Sequence, residues 1–120
     1  VTKTSTYPYA YNSYAISGLA GLDYVADFDL AQSTSDQILT NNIGNDNDQS
    51  AVGTLHLFNP SSTTFVKHFM ANVNTYHGAN QTVNSYAAGY ANTTSAVNAV
   101  IFRMVTGNID AGDICLYGIA

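Results

Sequence analysis

Charge is what this chain of 120 residues has least of. Charged side chains make up 9% of it, against roughly 25% in an ordinary soluble domain. Glutamate is absent, and the only cations are Lys3, Lys67 and Arg103. Binding to nucleic acid needs clustered lysine and arginine, and so does attraction to an anionic membrane surface. Three scattered cations exclude both kinds of partner.

Long apolar runs and paired cysteines are missing as well. No run approaches the roughly 20 residues of a membrane-spanning helix, so membrane insertion is not expected. No stretch resembles a signal peptide, so a secretion signal is either absent or already removed. Cys115 is the single cysteine, which rules out an internal disulfide. Its place in an apolar stretch predicts a buried, inert thiol.

The apolar residues that are present recur with a period of two, the period of a β-strand. The stretch AVNAVIFRMVTG is apolar on both faces, which predicts a central strand with Ile101 in the core. Segments rich in Gly, Asn, Asp, Ser and Thr, YHGANQT among them, separate the stretches and suit turns. This pattern predicts an all-β fold, an antiparallel β-sandwich of the jelly-roll kind. The stretches are DYVADFDLA, GTLHLFNP, TTFVKHFMANV, AVNAVIFRMVTG and DICLYGI.

Little or no helix is expected. SYAAGYANTT is predicted to form no more than a turn, because a glycine and polar residues interrupt its alanines. STSDQILT is a candidate for one short helical turn, with Ser35 as its N-cap.

The sequence predicts two parts, an N-terminal arm or edge strand over residues 1–12 and a β-sandwich domain over 13–120. Pro8 cannot donate to a strand ladder, which excludes a central strand here. Tyr7, Tyr9 and Tyr11 share one side of an extended chain, and such a row suits self-assembly against another subunit. Folding of the arm back onto its own domain is an equally good interpretation.

No arrangement typical of catalysis is visible. Nucleophilic hydrolysis needs a serine or cysteine beside a base that a third group orients, and the chain has no G-x-S-x-G turn. We therefore expect a protein that is not an enzyme, with no catalytic residue and no cofactor.

Two groups of residues are candidate ligand sites. Asp46 and Asp48 alternate with asparagines on a turn, a pattern of oxygen ligands that suits Ca²⁺, although a solvated turn is the favoured interpretation. The second group is aromatic and suits glycan binding by stacking, with a sandwich core or subunit interface as the favoured alternative. Its members are Tyr76, His77, Tyr86 and Tyr90.

The C-terminal part resembles a known family. NPSSTTFVKHF and then AGYANTTSAVNAVIFRMVTGNIDAGDICLYGIA resemble the terminal β-sandwich domain of tailed-bacteriophage virion proteins of the tail-fibre and head-fibre type. Residues 94–104 and 107–119 follow the family motif almost in order. Asp113 and Cys115 depart from it, standing where Thr and Lys are usual.

The resemblance implies a non-enzymatic structural protein of a virion, of fibre or capsid-decoration type, located in the virion or outside the cell. Its partners would be copies of itself, other virion proteins or a host-surface glycan. The last strand would close the fold, with Ile114 and Leu116 inward and Tyr117 against a neighbour. Gly107 and Gly112 would bracket a turn that needs positive φ. A subunit of an extracellular filament built by strand addition and a glycan-binding, lectin-like module are the alternatives.

Overall fold

The structure is a computed structural model that describes residues 2–6, 8–12 and 20–119, and it is a β-protein. Every strand pairing in these ranges is antiparallel, and the one helical element described is a single 3₁₀ turn, Ala26–Phe28. The prediction of an all-β chain is therefore confirmed. The strands are β1 (Thr2–Thr6), β2 (Pro8–Asn12), β3 (Ala20–Tyr24), β4 (Ala51–Leu57), β5 (Lys67–His77) and β6 (Gln81–Asn92).

The strands form one sheet in the order β3-β2-β6-β5-β4, and β1 also pairs with β6. Thr2 pairs with Asn92, and Tyr9 pairs with Ser85. Seven residues forward along the N-terminal segment therefore match seven residues backward along β6, without a break in register. β1 and β2 therefore lie in one line along β6 of the same chain. The proposed role of this N-terminal segment in assembly stays a prediction.

A tight turn joins the two longest strands, β5 and β6. Asn80 adopts the left-handed conformation with φ 58°, which asparagine tolerates, and its N–H donates to the carbonyl of His77 at 2.9 Å. The N–H of Ala79 donates to Nδ1 of His77 at 3.0 Å. The turn predicted for YHGANQT is confirmed, and it fixes the register of the hairpin.

The inner face of the sheet carries the core. Along β5 the predicted alternation is confirmed, because Lys67, Phe69 and Ala71 are buried while His68 and Met70 between them are exposed. β4 alternates as predicted too, with its leucines half-buried and its histidine exposed. The centre of the core is the cluster Ala71, Val83 and Ala87.

An irregular segment, residues 25–43, covers this face. Apolar side chains of the segment pack on the core cluster, and Thr40 reaches the buried hydroxyls of the sheet. Its Oγ1 lies 3.3 Å from Oγ1 of Thr75 and accepts from Oγ of Ser85 at 3.2 Å. The apolar contacts come from Val25, Phe28, Ile38 and Leu39.

Two expectations for this covering segment were wrong. Most of DYVADFDLA is not a strand, since β3 ends at Tyr24 and the 3₁₀ turn follows. STSDQILT contains no helical turn, so Ser35 is not the N-cap of a helix. The apolar spacing of both stretches reflects their packing on a sheet, which irregular backbone can satisfy as well as a regular element can.

SYAAGYANTT forms no helix, as expected, but the strand in it was not predicted: β6 continues through this stretch to Asn92. β6 pairs with β5 on one side and with β1 and β2 on the other. Pairing along both edges outweighs the low strand preference of Gly89, since strand propensity depends strongly on context.

The two strands expected after β6 are absent, as residues 93–119 form none. Ile101 is 84% exposed instead of lying in the core, and Ile114 and Leu116 point to solvent instead of inward. Cys115 is exposed, so the expectation of a buried thiol was wrong. A strand exists only when an edge pairs with it, and no described edge does so here. The expected positive φ at Gly107 and Gly112 is confirmed, at 77° and 130°.

Candidate functional site

The C-terminal segment, residues 97–119, is the most unusual feature of the described chain. It is tied to the sheet domain at its start, where Val97 N–H donates to the carbonyl of Pro60 at 2.8 Å. Arg103 Nε then donates to Oδ2 of Asp36 on the covering segment, in an ion pair that is well exposed. Past Arg103 the described residues make no further hydrogen bond to the domain. Residues 105–119 are all exposed, and this last part of the described chain therefore projects from the domain.

This projecting part is apolar. Leu116 is 95% exposed and Ile119 is 91% exposed, so they contact almost nothing of their own chain. Burying one such side chain stabilises a protein by about 1.5–3 kcal/mol. Contiguous apolar surface of this kind marks interaction sites. The exposed large apolar residues after Arg103 are Val105, Ile109, Ile114, Leu116, Tyr117 and Ile119.

A second unusual feature is the free edge of β4. Phe58 N–H donates to the carbonyl of His68, and Tyr76 N–H donates to the carbonyl of Ser50, so the even-numbered residues of this strand bond to β5. In an antiparallel ladder the alternate residues then point their N–H and C=O groups away from the sheet. Within the described ranges no strand pairs with them. They are Ala51, Gly53, Leu55 and Leu57.

The β4 edge has none of the features that usually protect an edge. Proteins blunt such edges with charged side chains, proline or bulges, because a bare edge templates the addition of another strand. The sequence AVGTLHL contains neither a charged residue nor a proline. Val52 adds a 73% exposed apolar side chain on the outer face. The edge is thus open to pairing.

Asp46 and Asp48, the calcium candidates, lie on an exposed loop beside this edge. Gly44 N–H donates to the carbonyl of Tyr76, so the chain leaves β5 after Gly44 and returns at the start of β4. Asp46 N–H donates to Oε1 of Gln49, which closes the loop. Among the described residues no three His, Cys or Asp side chains lie close enough to hold a metal ion. Calcium binding has no further support from the geometry.

The aromatic candidates do not converge on one site. Tyr76, Tyr86 and Tyr90 share the outer face of the sheet by register, and successive members lie four residues apart along β6, or roughly 13 Å. Tyr90 contacts His68, with ring centroids 5.8 Å apart. His77 lies at the hairpin turn, where its ring accepts a backbone hydrogen bond. The geometry therefore offers a row of separate rings.

The remaining candidates concern self-assembly. Tyr7 lies outside the described residues, as do the side chains of Tyr9 and Tyr11, so their part in assembly stays a prediction. Tyr117 belongs to the projecting segment and is 81% exposed, which leaves its ring available to a neighbour.

Sequence reasoning missed the role of Lys67, a fully buried cation. Its Nζ donates to three backbone carbonyls, those of Ser62 at 2.6 Å, Phe65 at 2.8 Å and Thr93 at 3.2 Å. These acceptors belong to the β4–β5 connection and to the residue that follows β6. Lys67 therefore holds together the region from which the C-terminal segment departs. The available signal was its position on the apolar face of β5.

None of the described residues forms a helix long and apolar enough to cross a membrane. Comparison with protein-family models, curated proteins and solved structures finds no match to this chain. The resemblance of residues 94–119 to phage virion domains therefore stays an expectation.

Proposed function

We propose that the protein is a non-enzymatic structural subunit that assembles with copies of itself. The observation that carries this proposal is the C-terminal segment, whose apolar side chains project into solvent after Arg103. Contacts with other copies would remove these side chains from water. The association would be driven by the hydrophobic effect rather than by charge, since so few charged side chains exist to steer it.

A virion is the setting that we propose for this assembly, as a fibre or capsid-decoration protein. Its support is the resemblance of residues 94–104 and 107–119 to terminal domains of such proteins, together with a tyrosine-rich composition that holds few charged residues. The β-sandwich of jelly-roll kind is proposed for the assembled form. There the two alternating stretches after β6 would become strands by pairing with a neighbouring copy.

An extracellular filament is the alternative that the geometry favours next. The projecting segment and the bare β4 edge are different surfaces, so a contact between them would be heterologous. Heterologous contacts generate rings when the rotation closes and open helical polymers when it does not. The geometry gives no comparable support to glycan binding, because the candidate tyrosines are spread along the outer face of the sheet.

The proposal is tested by replacing Leu116 with aspartate. We expect the wild-type chain to sediment as an oligomer or polymer and to appear as particles or fibres by electron microscopy. Leu116→Asp should sediment as a monomer and should melt like the wild-type chain diluted below its assembly concentration, because the side chain contacts almost nothing within its own chain. Ala79→Asp is the matched control, since it adds the same charge at an exposed turn and should assemble normally.

A wild-type chain that remains monomeric at millimolar concentration would refute the proposal. Assembly of Leu116→Asp with wild-type affinity would show that the C-terminal segment is not the surface through which the copies associate. A symmetric closed particle in micrographs would favour the decoration-protein form, and fibres of indefinite length would favour the filament.

A further inference from the structure

We infer that residues 114–119 of one copy pair as a strand with the β4 edge of a second copy. This inference rests on the proposed self-assembly and specifies which two surfaces meet. It assigns to the C-terminal segment the donor role that the sequence alone had suggested for the N-terminal arm.

The acceptor offers unpaired backbone groups. Ala51, Gly53, Leu55 and Leu57 direct their N–H and C=O groups away from β5, and no described strand meets them. An added strand supplies one donor and one acceptor at every second residue of such an edge. The edge can thus accept an extended peptide by β-augmentation.

The donor matches this edge in length and chemistry. Residues 114–119 are six in number beside the seven of β4, and neither stretch contains a charged side chain or a proline. ICLYGI alternates so that Ile114 and Leu116 would extend the inner apolar face beside Leu55. Cys115 and Tyr117 would then join the outer face beside Val52.

The donor and acceptor belong to different copies because the two surfaces coexist unpaired in one chain. Leu116 and Ile119, both more than nine-tenths exposed, show how little the segment touches its own domain. Residues 104–113 form a tether beyond the last tie, Arg103, and ten extended residues reach roughly 33–36 Å. The whole chain measures 29 Å along each of its two shorter axes, so this tether can cross a neighbouring copy.

Cys115, the single cysteine, provides the test. A wild-type chain would be mixed with a differently tagged Val52→Cys/Cys115→Ser chain and oxidised with copper phenanthroline. We expect a disulfide between the two tagged chains, at least fivefold more abundant than with Ala79→Cys/Cys115→Ser. Ala79 is the control because it is exposed but lies on the hairpin turn and not on the β4 edge.

A backbone test complements the cross-link. The N–H of Ala51 points away from β5, so Ala51→Pro leaves the hydrogen bonds to β5 intact and removes an outward donor. We expect the variant and the wild-type chain to melt at the same temperature when both are diluted below assembly, and we expect at least tenfold weaker association by sedimentation. Retention of wild-type affinity in a folded Ala51→Pro chain would overturn the inference.

The outcomes separate this inference from the proposed function. Oligomers in which Val52→Cys cross-links no better than Ala79→Cys would overturn the strand pairing and leave self-assembly standing. A Val52→Cys chain that retains Cys115 tests pairing within one copy. If a disulfide forms only within single chains of this variant, the segment pairs with the β4 edge of its own chain, and the inference is overturned as well. A monomeric wild-type chain would refute both proposals.

Discussion

Replacing Lys67 with methionine should destabilise the domain strongly. Methionine keeps most of the buried stem but removes the ammonium group, whose three acceptors are backbone carbonyls between 2.6 and 3.2 Å away. A hydrogen bond to a charged group contributes about 1.5–3 kcal/mol. The contributions do not add fully, because the variant no longer has to desolvate an ammonium ion and because water can reach the exposed connection at Phe65.

We therefore expect Lys67→Met to lower the free energy of unfolding by about 2–4 kcal/mol, a large share of the 5–15 kcal/mol typical of a domain. Urea denaturation at subunit concentrations below assembly measures this value, provided that the slope of the transition is unchanged. Arg103→Met is the matched control. It removes the same charge from an exposed ion pair and should cost about 0–1 kcal/mol.

Equal losses for the two variants would refute the reasoning, because they would mean that the buried ammonium stabilises no more than a surface cation. A more stable Lys67→Met would show that the cost of burying the charge exceeds the gain from its three hydrogen bonds.

Three further predictions concern other parts of the domain. Gly53→Ala should cost about 1–3 kcal/mol in thermal melts, because a Cβ there would lie 2.6 Å from a backbone carbonyl oxygen of β5; a loss under about 0.5 kcal/mol would contradict this close approach. Ile101→Ala should lower the free energy of unfolding of the dilute chain by less than about 0.5 kcal/mol. A loss of about 2–5 kcal/mol would instead show that Ile101 is buried in the core. The hydrogen bond from Tyr24 to Asp29 raises the pKa of Tyr24 above its usual value. The contribution of this hydrogen bond to stability is therefore complete below pH about 10, the pKa of tyrosine in the unfolded chain. It is lost as the pH rises through the raised pKa of the folded state. Tyrosinate absorbance should show a late titration step that Tyr24→Phe removes, and an unchanged titration curve would refute the bond.

The β4, β5 and β6 region shows how far alternation leads. GTLHLFNP and TTFVKHFMANV were predicted as strands with the correct inner faces, because a half-buried strand must place apolar residues at every second position. The turn at YHGANQT was equally readable, since Asn80 tolerates positive φ. β6 was missed because its alanines, its glycine and its serine are small and weakly patterned. Small side chains nevertheless fit the centre of this sheet, where Ala87 and Val83 pack against Ala71.

The proposed assembly surface was only partly visible in the sequence. The apolar alternation of residues 96–105 and 114–119 is plain in the sequence, but it predicted strands within the domain. Alternation identifies residues that favour burial against a sheet, but it does not specify whether that sheet belongs to the same chain. Likewise, the absence of charge from β4 was readable, but its position at the edge was not.

The sequence by itself determined the all-β class, the inner faces of β4 and β5, and the positive φ of Gly107 and Gly112, because these follow from local periodicity and backbone sterics. Only the tertiary structure decided that β6 lies inside the sheet, that Lys67 is buried with its ammonium bonded to three carbonyls, and that the C-terminal segment projects unpaired. Those outcomes depend on which edges meet across long stretches of chain. Such pairing is set by the packing of distant residues and not by the preference of any one of them.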